Sequence, residues 1–285
     1  MIEITQLSKN YGEFAAVDGL SFKLVAGEIL GFLGPNGAGK STAMKMLTGY
    51  LRPSAGKVAI WGHDMWRDPM TAQQFIGYLP EGAPAWEEMT PLEFISFAGE
   101  IRGKRGQELQ DCVERAVQVM SLSSVLHQKI ETLSKGYKRR VGLAQAILHD
   151  PDVLILDEPT DGLDPNQKHQ VRQMIKGLSK DKIVIVSTHI LEEVTAVCNR
   201  VIVLSAGRIL VDTTPDELMR QSEFHGAVVV SLKDDSQTAE VAGILDGLSG
   251  VRRVSNDAHV LTVFPRDDNA GLFSQIYETS VAESW

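Results

Sequence analysis

Residues 29–47 read Ile29-Leu-Gly-Phe-Leu-Gly34-Pro-Asn-Gly-Ala-Gly39-Lys40-Ser-Thr-Ala-Met-Lys-Met-Leu47. The apolar run Ile29–Leu33 is a strand-length segment, Gly34–Gly39 is a glycine-rich loop, and a helix is predicted from Lys40 to about Thr48. Strand, glycine loop and helix in this order are the setting in which G-x-x-x-x-G-K-[ST] holds phosphate. The glycines let successive N–H groups turn toward one anion, and the helix adds the positive end of its dipole. Gly34, Asn36, Gly37, Ala38 and Gly39 are therefore candidate nucleotide-binding residues. Lys40 supplies a cation for the terminal phosphates, Ser41 a hydroxyl for magnesium and Thr42 a further donor. Average residue usage gives an accidental match in a chain of this length a chance of about 1–2%.

Working outward, Asp157 and Glu158 close a second apolar strand, Val153–Leu156. Ligands of open α/β sheets sit at the carboxyl ends of such strands. Asp157 is the expected magnesium holder and Glu158 the carboxylate that polarises an attacking water, a division suited to phosphoryl transfer. His189 follows the strand Ile183–Ser187 and falls at the same sheet edge, in reach of a γ-phosphate. Helical spacing recurs in Pro91–Ile101, Gln107–Met120 and Tyr137–Leu148, so about 85–150 reads as a helical insertion in an α/β core. From Asp152 buried strands alternate with helices, which implies a mainly parallel sheet. After about Arg220 the order changes to β-α-β-β-α: strands at Ala227–Leu232, Val251–Ser255 and Val260–Phe264, and helices over 236–248 and 268–279. That tail carries no chemical motif.

The chain has 285 residues, 28 Lys and Arg against 37 Asp and Glu, and a net charge of -9, a poor footprint for nucleic acid. No apolar run approaches the roughly 20 residues of a membrane span. Met1–Asn10 has no signal-peptide pattern, and two distant cysteines form neither a disulfide framework nor a metal site. A reducing, cytosolic setting is expected, with any membrane role exercised through a partner.

These motifs, in this order from Met1 to about Arg220, resemble the ATP-binding subunits of ABC transporters. Gly34–Thr42 matches Walker A, Val153–Asp157 Walker B, and Glu158 the catalytic position. Gly162-Leu163-Asp164 matches the D-loop, His189 the switch histidine, and Tyr11 the adenine-stacking aromatic. Leu133-Ser-Lys-Gly-Tyr137 stands where the family has its LSGGQ signature, with Lys135 and Tyr137 as departures and Ser134 and Gly136 kept as γ-phosphate contacts. Glu81, in Tyr78-Leu-Pro-Glu81, replaces the usual Q-loop glutamine and could reach magnesium through water. The likeness is strongest to ABC-2-type exporters of the gliding-motility-like and copper-site-maturation-like branch.

The resemblance implies a RecA-like P-loop ATPase core with an antiparallel β subdomain and an inserted helical subdomain. Residues 1–220 form this cassette, and 221–285 a small α+β accessory module. It also implies a homodimer sandwiching two ATP with Mg2+, on the cytoplasmic face of a membrane. Its partners are separate multi-span permease subunits, with room for a periplasmic or accessory component and no nucleic acid. The partner's coupling helix is expected in the cleft around residues 81–100, with Phe94 and Phe97 as core, and Trp86 and Met89 facing the partner. The alternative is a soluble ATPase of the same superfamily acting on ribosomes or DNA. Cargo is chosen by membrane helices outside this chain.

Overall fold

The computed structural model describes residues 1–222, 224–232, 235–257, 259–266, 271–283 and 285. The chain divides into two units, Met1–Pro215 and Asp216–Trp285, so the break falls ahead of the one expected after Arg220.

The first unit is built on a six-stranded sheet. Its order is Arg208–Thr213, Arg200–Ser205, Ile29–Leu33, Ile183–Thr188, Val153–Asp157 and Ile76–Leu79. All neighbours are parallel except the antiparallel edge hairpin Arg200–Ser205/Arg208–Thr213. The central strands are apolar up to their carboxyl ends because both faces are covered. Alternation along them then assigns each residue to one of two cores. Leu154, Leu156, Val184 and Val186 join the core that includes the helical insertion. Val153, Ile155, Ile183 and Ile185 join the opposite core, together with Leu30, Phe32 and the helix Lys40–Leu47. The second core is closed by a four-stranded antiparallel sheet, Phe14–Leu24, Ile2–Tyr11, Ala55–Ile60 and His63–Asp64. The short helix Pro69–Gln74 was not legible in the sequence: its six residues are too few to show a period, though Pro69 sits at its first turn.

The insertion contains the helices Pro91–Ile101, Gly106–Val119 and Lys135–Ile147. Thr90 and Glu93 close a capping box at the first: the Thr90 Oγ1 accepts from the Glu93 N–H at 3.3 Å, and Glu93 Oε2 accepts from the Thr90 N–H at 2.8 Å. Met89 is half-buried and packs against this core. The signature helix starts at Lys135, earlier than expected, with Ser134 as its N-cap, so Gly136 and Tyr137 lie in its first turn. It sits closely on the strand Ile76–Leu79. A Cβ on Gly77 would lie 2.1 Å from the Ala146 carbonyl oxygen, and one on Gly142 would lie 2.7 Å from Leu79. At Gly77, where the neighbour is backbone, only glycine fits.

The second unit has a three-stranded antiparallel sheet, ordered Val228–Ser231, Val260–Pro265, Val251–Asp257, with helices Thr238–Asp246 and Leu272–Glu283. Residues 268–270 of the expected last helix lie outside the described residues. The unit has its own core, which includes Val241, Leu245, Leu261, Val263 and Ile276. Among the described residues no helix is long and apolar enough to cross a membrane.

Candidate functional site

The glycine loop leaves the strand Ile29–Leu33 and feeds directly into the helix Lys40–Leu47. Gly39 has φ 102°, and a Cβ there would lie 2.5 Å from the Ala16 carbonyl oxygen, so the loop can close only with glycine at this point. Gly37 is also left-handed, at φ 81°, and Asn36 is exposed beside it while Gly34 and Ala38 are buried. Lys40 is buried, and its ammonium donates to the carbonyl oxygens of Gly34 at 2.7 Å and Pro35 at 3.0 Å. Ser41 and Thr42, both half-buried, occupy the first turn behind it. Tyr11 closes the hairpin whose return strand brings Ala16 to Gly39; the residue is 53% exposed, with the Lys9 ammonium 5.3 Å from its ring centre.

The ends of three neighbouring strands meet this loop. Asp157 is fully buried, and its Oδ1 accepts from Ser41 Oγ at 3.2 Å and from Ser187 Oγ at 2.5 Å. Its Oδ2 is buried with no partner among the described residues. Ser187 Oγ also accepts the Glu158 N–H at 2.9 Å, so one hydroxyl joins both acids. Sequence reasoning missed Ser187; the only signal was a hydroxyl closing the apolar run Ile183–Val186. Glu158 is left-handed at φ 47°, a conformation costing a non-glycine residue of order 1–3 kcal/mol, as is common at functional sites. His189 Nδ1 lies 3.4 Å from Glu158 Oε1, a pairing that the sequence did not suggest. Burial, and then the Asp157 carboxylate, push the nearby Tyr78 phenol up from its ordinary value.

Glu81 lies after the strand Ile76–Leu79 and is exposed. Ser134 Oγ accepts from the Tyr137 N–H, and Gly136 lies buried against the side chain of Gln167. Asp164 caps the next helix by accepting the Gln167 N–H at 2.9 Å. The glycine loop, Asp157, Glu158 and His189 thus converge around one sheet edge, while Tyr11 lies at the end of a strand of the four-stranded sheet. Ser134 and Gly136 instead belong to the start of the signature helix.

The family model described as "ABC transporter" matches residues 17–161. The chain belongs to the ABC transporter family. This ABC protein is 35% identical to the Nod factor export ATP-binding protein I of Paraburkholderia xenovorans, over 82% of its own length and 79% of that protein's. It is also 35% identical to a probable multidrug ABC transporter ATP-binding protein, YbhF, of Escherichia coli, over 78% of this chain and 38% of that one. A solved ATP-binding subunit of an ABC transporter superposes with TM-score 0.70 at 30% identity, covering 78% of this chain and 92% of the other. The dimeric bacterial ABC transporter cassette MJ0796 superposes with TM-score 0.69 at 25% identity, covering 75% and 99%. The protein is an ATP-binding subunit of the ABC transporter type, and its reaction is ATP hydrolysis.

The ABC subunit also carries a groove of about 930 Å3 between its helical insertion and the strand Ile76–Leu79. Trp86, 55% exposed, lines it with Phe97 and Phe94, its ring 4.9 Å from Phe97 and 5.9 Å from Phe94. Phe94 is buried as expected; Phe97 is part of the groove wall. His149 and Tyr78 lie along the same groove, and the His149 Nδ1 and Tyr78 hydroxyl are buried with no partner among the described residues.

Proposed function

We propose that the chain is the motor of an exporter of the ABC-2 type, working as a homodimer on the cytoplasmic face of a membrane through a separate multi-span permease. The observation that carries the hydrolytic part is the join of Asp157, Glu158, Ser41 and Ser187 beside the Lys40 cradle. The relatives named for Nod factor export and multidrug transport support the exporter direction, and the dimeric cassette supports the pairing of two copies.

The residues fit a magnesium ion. Ser41 Oγ and the unpartnered Asp157 Oδ2 are hard oxygen donors at one spot, and among the described residues no cluster of three or more acidic, His or Cys side chains would hold a metal by itself. A cation shared between few protein oxygens and phosphate is the usual arrangement for Mg2+. When bound, the ion neutralises phosphate oxygens. Glu81 is the further candidate for reaching it through water. Lys40 turns its ammonium from the loop carbonyls to the β- and γ-phosphates, and the Gly34–Gly39 amides hold the same oxygens. Tyr11 stacks on adenine. Glu158 orients the attacking water and accepts its proton, while His189 reaches the γ-phosphate from the next strand. Ser134 and Gly136 of the second copy complete the pocket.

The apolar groove at Trp86 and Phe97 suits an inserted helix of the permease, with a polar side chain reaching His149 Nδ1 and Tyr78. The second unit serves as an accessory module for packing or dimerisation. Two experiments test the reading. Glu158→Gln should cut phosphate release by about 100-fold or more while ATP stays bound; full turnover would remove Glu158 from its role. A pull-down from gently solubilised native membranes should bring a stoichiometric multi-span protein. Recovery with ribosomes or nucleic acid from the soluble fraction would instead favour a soluble ATPase.

A further inference from the structure

Arg139 lies on the signature helix and is buried. Its Nη2 donates to the backbone carbonyl of Glu158 at 2.8 Å. That carbonyl also accepts the Asp161 N–H at 3.2 Å. The Glu158 backbone is therefore held from both sides, by Ser187 at its N–H and by Arg139 and Asp161 at its carbonyl. The residue so held is the left-handed one, whose conformation persists only if its surroundings over-determine it. A buried arginine has a high desolvation cost. Burial lowers its proton affinity, and the carboxylates of Asp161, Glu158, Asp157 and Glu81 act in the opposite direction. Its Nη1 has no partner among the described residues, so the side chain is not kept there by a complete hydrogen-bond shell.

We propose that Arg139 is a positioning residue for ATP hydrolysis, holding the Glu158 backbone in its left-handed turn and so tying the carboxylate's aim to the seat of the signature helix. The inference rests on the reading of Glu158 as the water-orienting carboxylate. Arg139 touches neither nucleotide nor water in this scheme; it acts through Glu158. Movement of the signature helix relative to the sheet would pull on the Glu158 carbonyl, and with it the carboxylate.

The test is steady-state ATPase kinetics on the full chain carrying Arg139→Met or Arg139→Lys, each alone and combined with Glu158→Gln. Arg139→Met should lower kcat about tenfold or more with KM for ATP within about twofold, since misplacing a catalytic group costs turnover before binding. Arg139→Lys keeps a donor and should recover part of the loss. In the Glu158→Gln background, Arg139→Met should lower the residual rate by less than about twofold, because the two changes act on one group. A kcat within twofold of the parent for Arg139→Met overturns the proposal, as does an equal loss in both backgrounds. If Arg139→Met does not fold, Arg139→Leu, which likewise lacks a donor, carries the same cycle with the same criteria. Full turnover in Glu158→Gln alone removes the reading of Glu158 and this inference together. An inactive Glu158→Gln beside a normal Arg139→Met removes this inference only.

Discussion

Lys40 shows how little freedom the phosphate cradle leaves its cation: the ammonium is buried and already satisfied by two loop carbonyls. Exchanging these for phosphate oxygens trades neutral acceptors for charged ones, and hydrogen bonds to charged groups contribute about 1.5–3 kcal/mol. Lys40→Ala should accordingly weaken ATP binding by about 10–100-fold, read by calorimetric titration; an unchanged dissociation constant would count against the cradle. Lys40, Ser41, Asp157 and Glu158 were legible because each sits in a short local pattern whose chemistry requires that residue type. Ser187 and Arg139 were not. Ser187 meets Asp157 only because two strands pair side by side, and Arg139 meets Glu158 only because a helix lies across the sheet. No window along the chain contains either meeting.

Among the elements, the strand Ile76–Leu79 is the anvil of the insertion. The Ile76 carbonyl accepts from His149 Nε2 at 3.1 Å, beyond the end of the signature helix, and from Arg102 Nη2 at 3.1 Å, beyond the end of Pro91–Ile101. One carbonyl thus ties two helices to the sheet. Burial first, then Arg102, with smaller contributions from Lys104 and Lys182, holds His149 down at about 4. An exposed imidazole titrates near ~6.5. The unfolded chain therefore takes the proton first as pH falls. The contribution is complete above ~6.5, declines through the interval down to about 4, and amounts to at most ~3 kcal/mol. His149→Gln preserves a donor to Ile76 and does not titrate. Urea unfolding at a series of pH values should show a shallower acid loss for His149→Gln than for the parent; parallel curves would dismiss the histidine as a source of acid sensitivity. The three helices of the insertion were legible from their period, since each exceeds ten residues. Their close seat on the strand was not. It depends on Gly77 and Gly142, and a glycine inside a strand or helix pattern does not reveal what approaches it.

For the whole molecule, the sequence suggests two regions because strand and helix order changes after about Arg220; the chain divides into two units, and Asp216–Trp285 has an apolar core of its own. Such units open as separate cooperative blocks. Calorimetry should give two unfolding transitions. ATP at a hundred times its dissociation constant should stabilise only the one belonging to Met1–Pro215, by about 2.7 kcal/mol; a single transition that moves as a whole would refute this division. The position of the break was less legible, because the helix Pro215–Arg220 spans it with no loop-like composition. The order of strands in the main sheet also governs how the chain is made. The glycine-loop strand Ile29–Leu33 is flanked by Ile183–Thr188 and Arg200–Ser205, both far downstream. At ribosomal speeds of about 5–20 residues per second, the phosphate loop waits roughly 8 to 30 s for its first sheet neighbour to be synthesised. During that interval Phe32 and Leu30 have no lateral shelter. A nascent chain stalled before Ile183 should be sensitive to protease at Ile29–Leu33, a segment whose first four residues are buried in the finished protein.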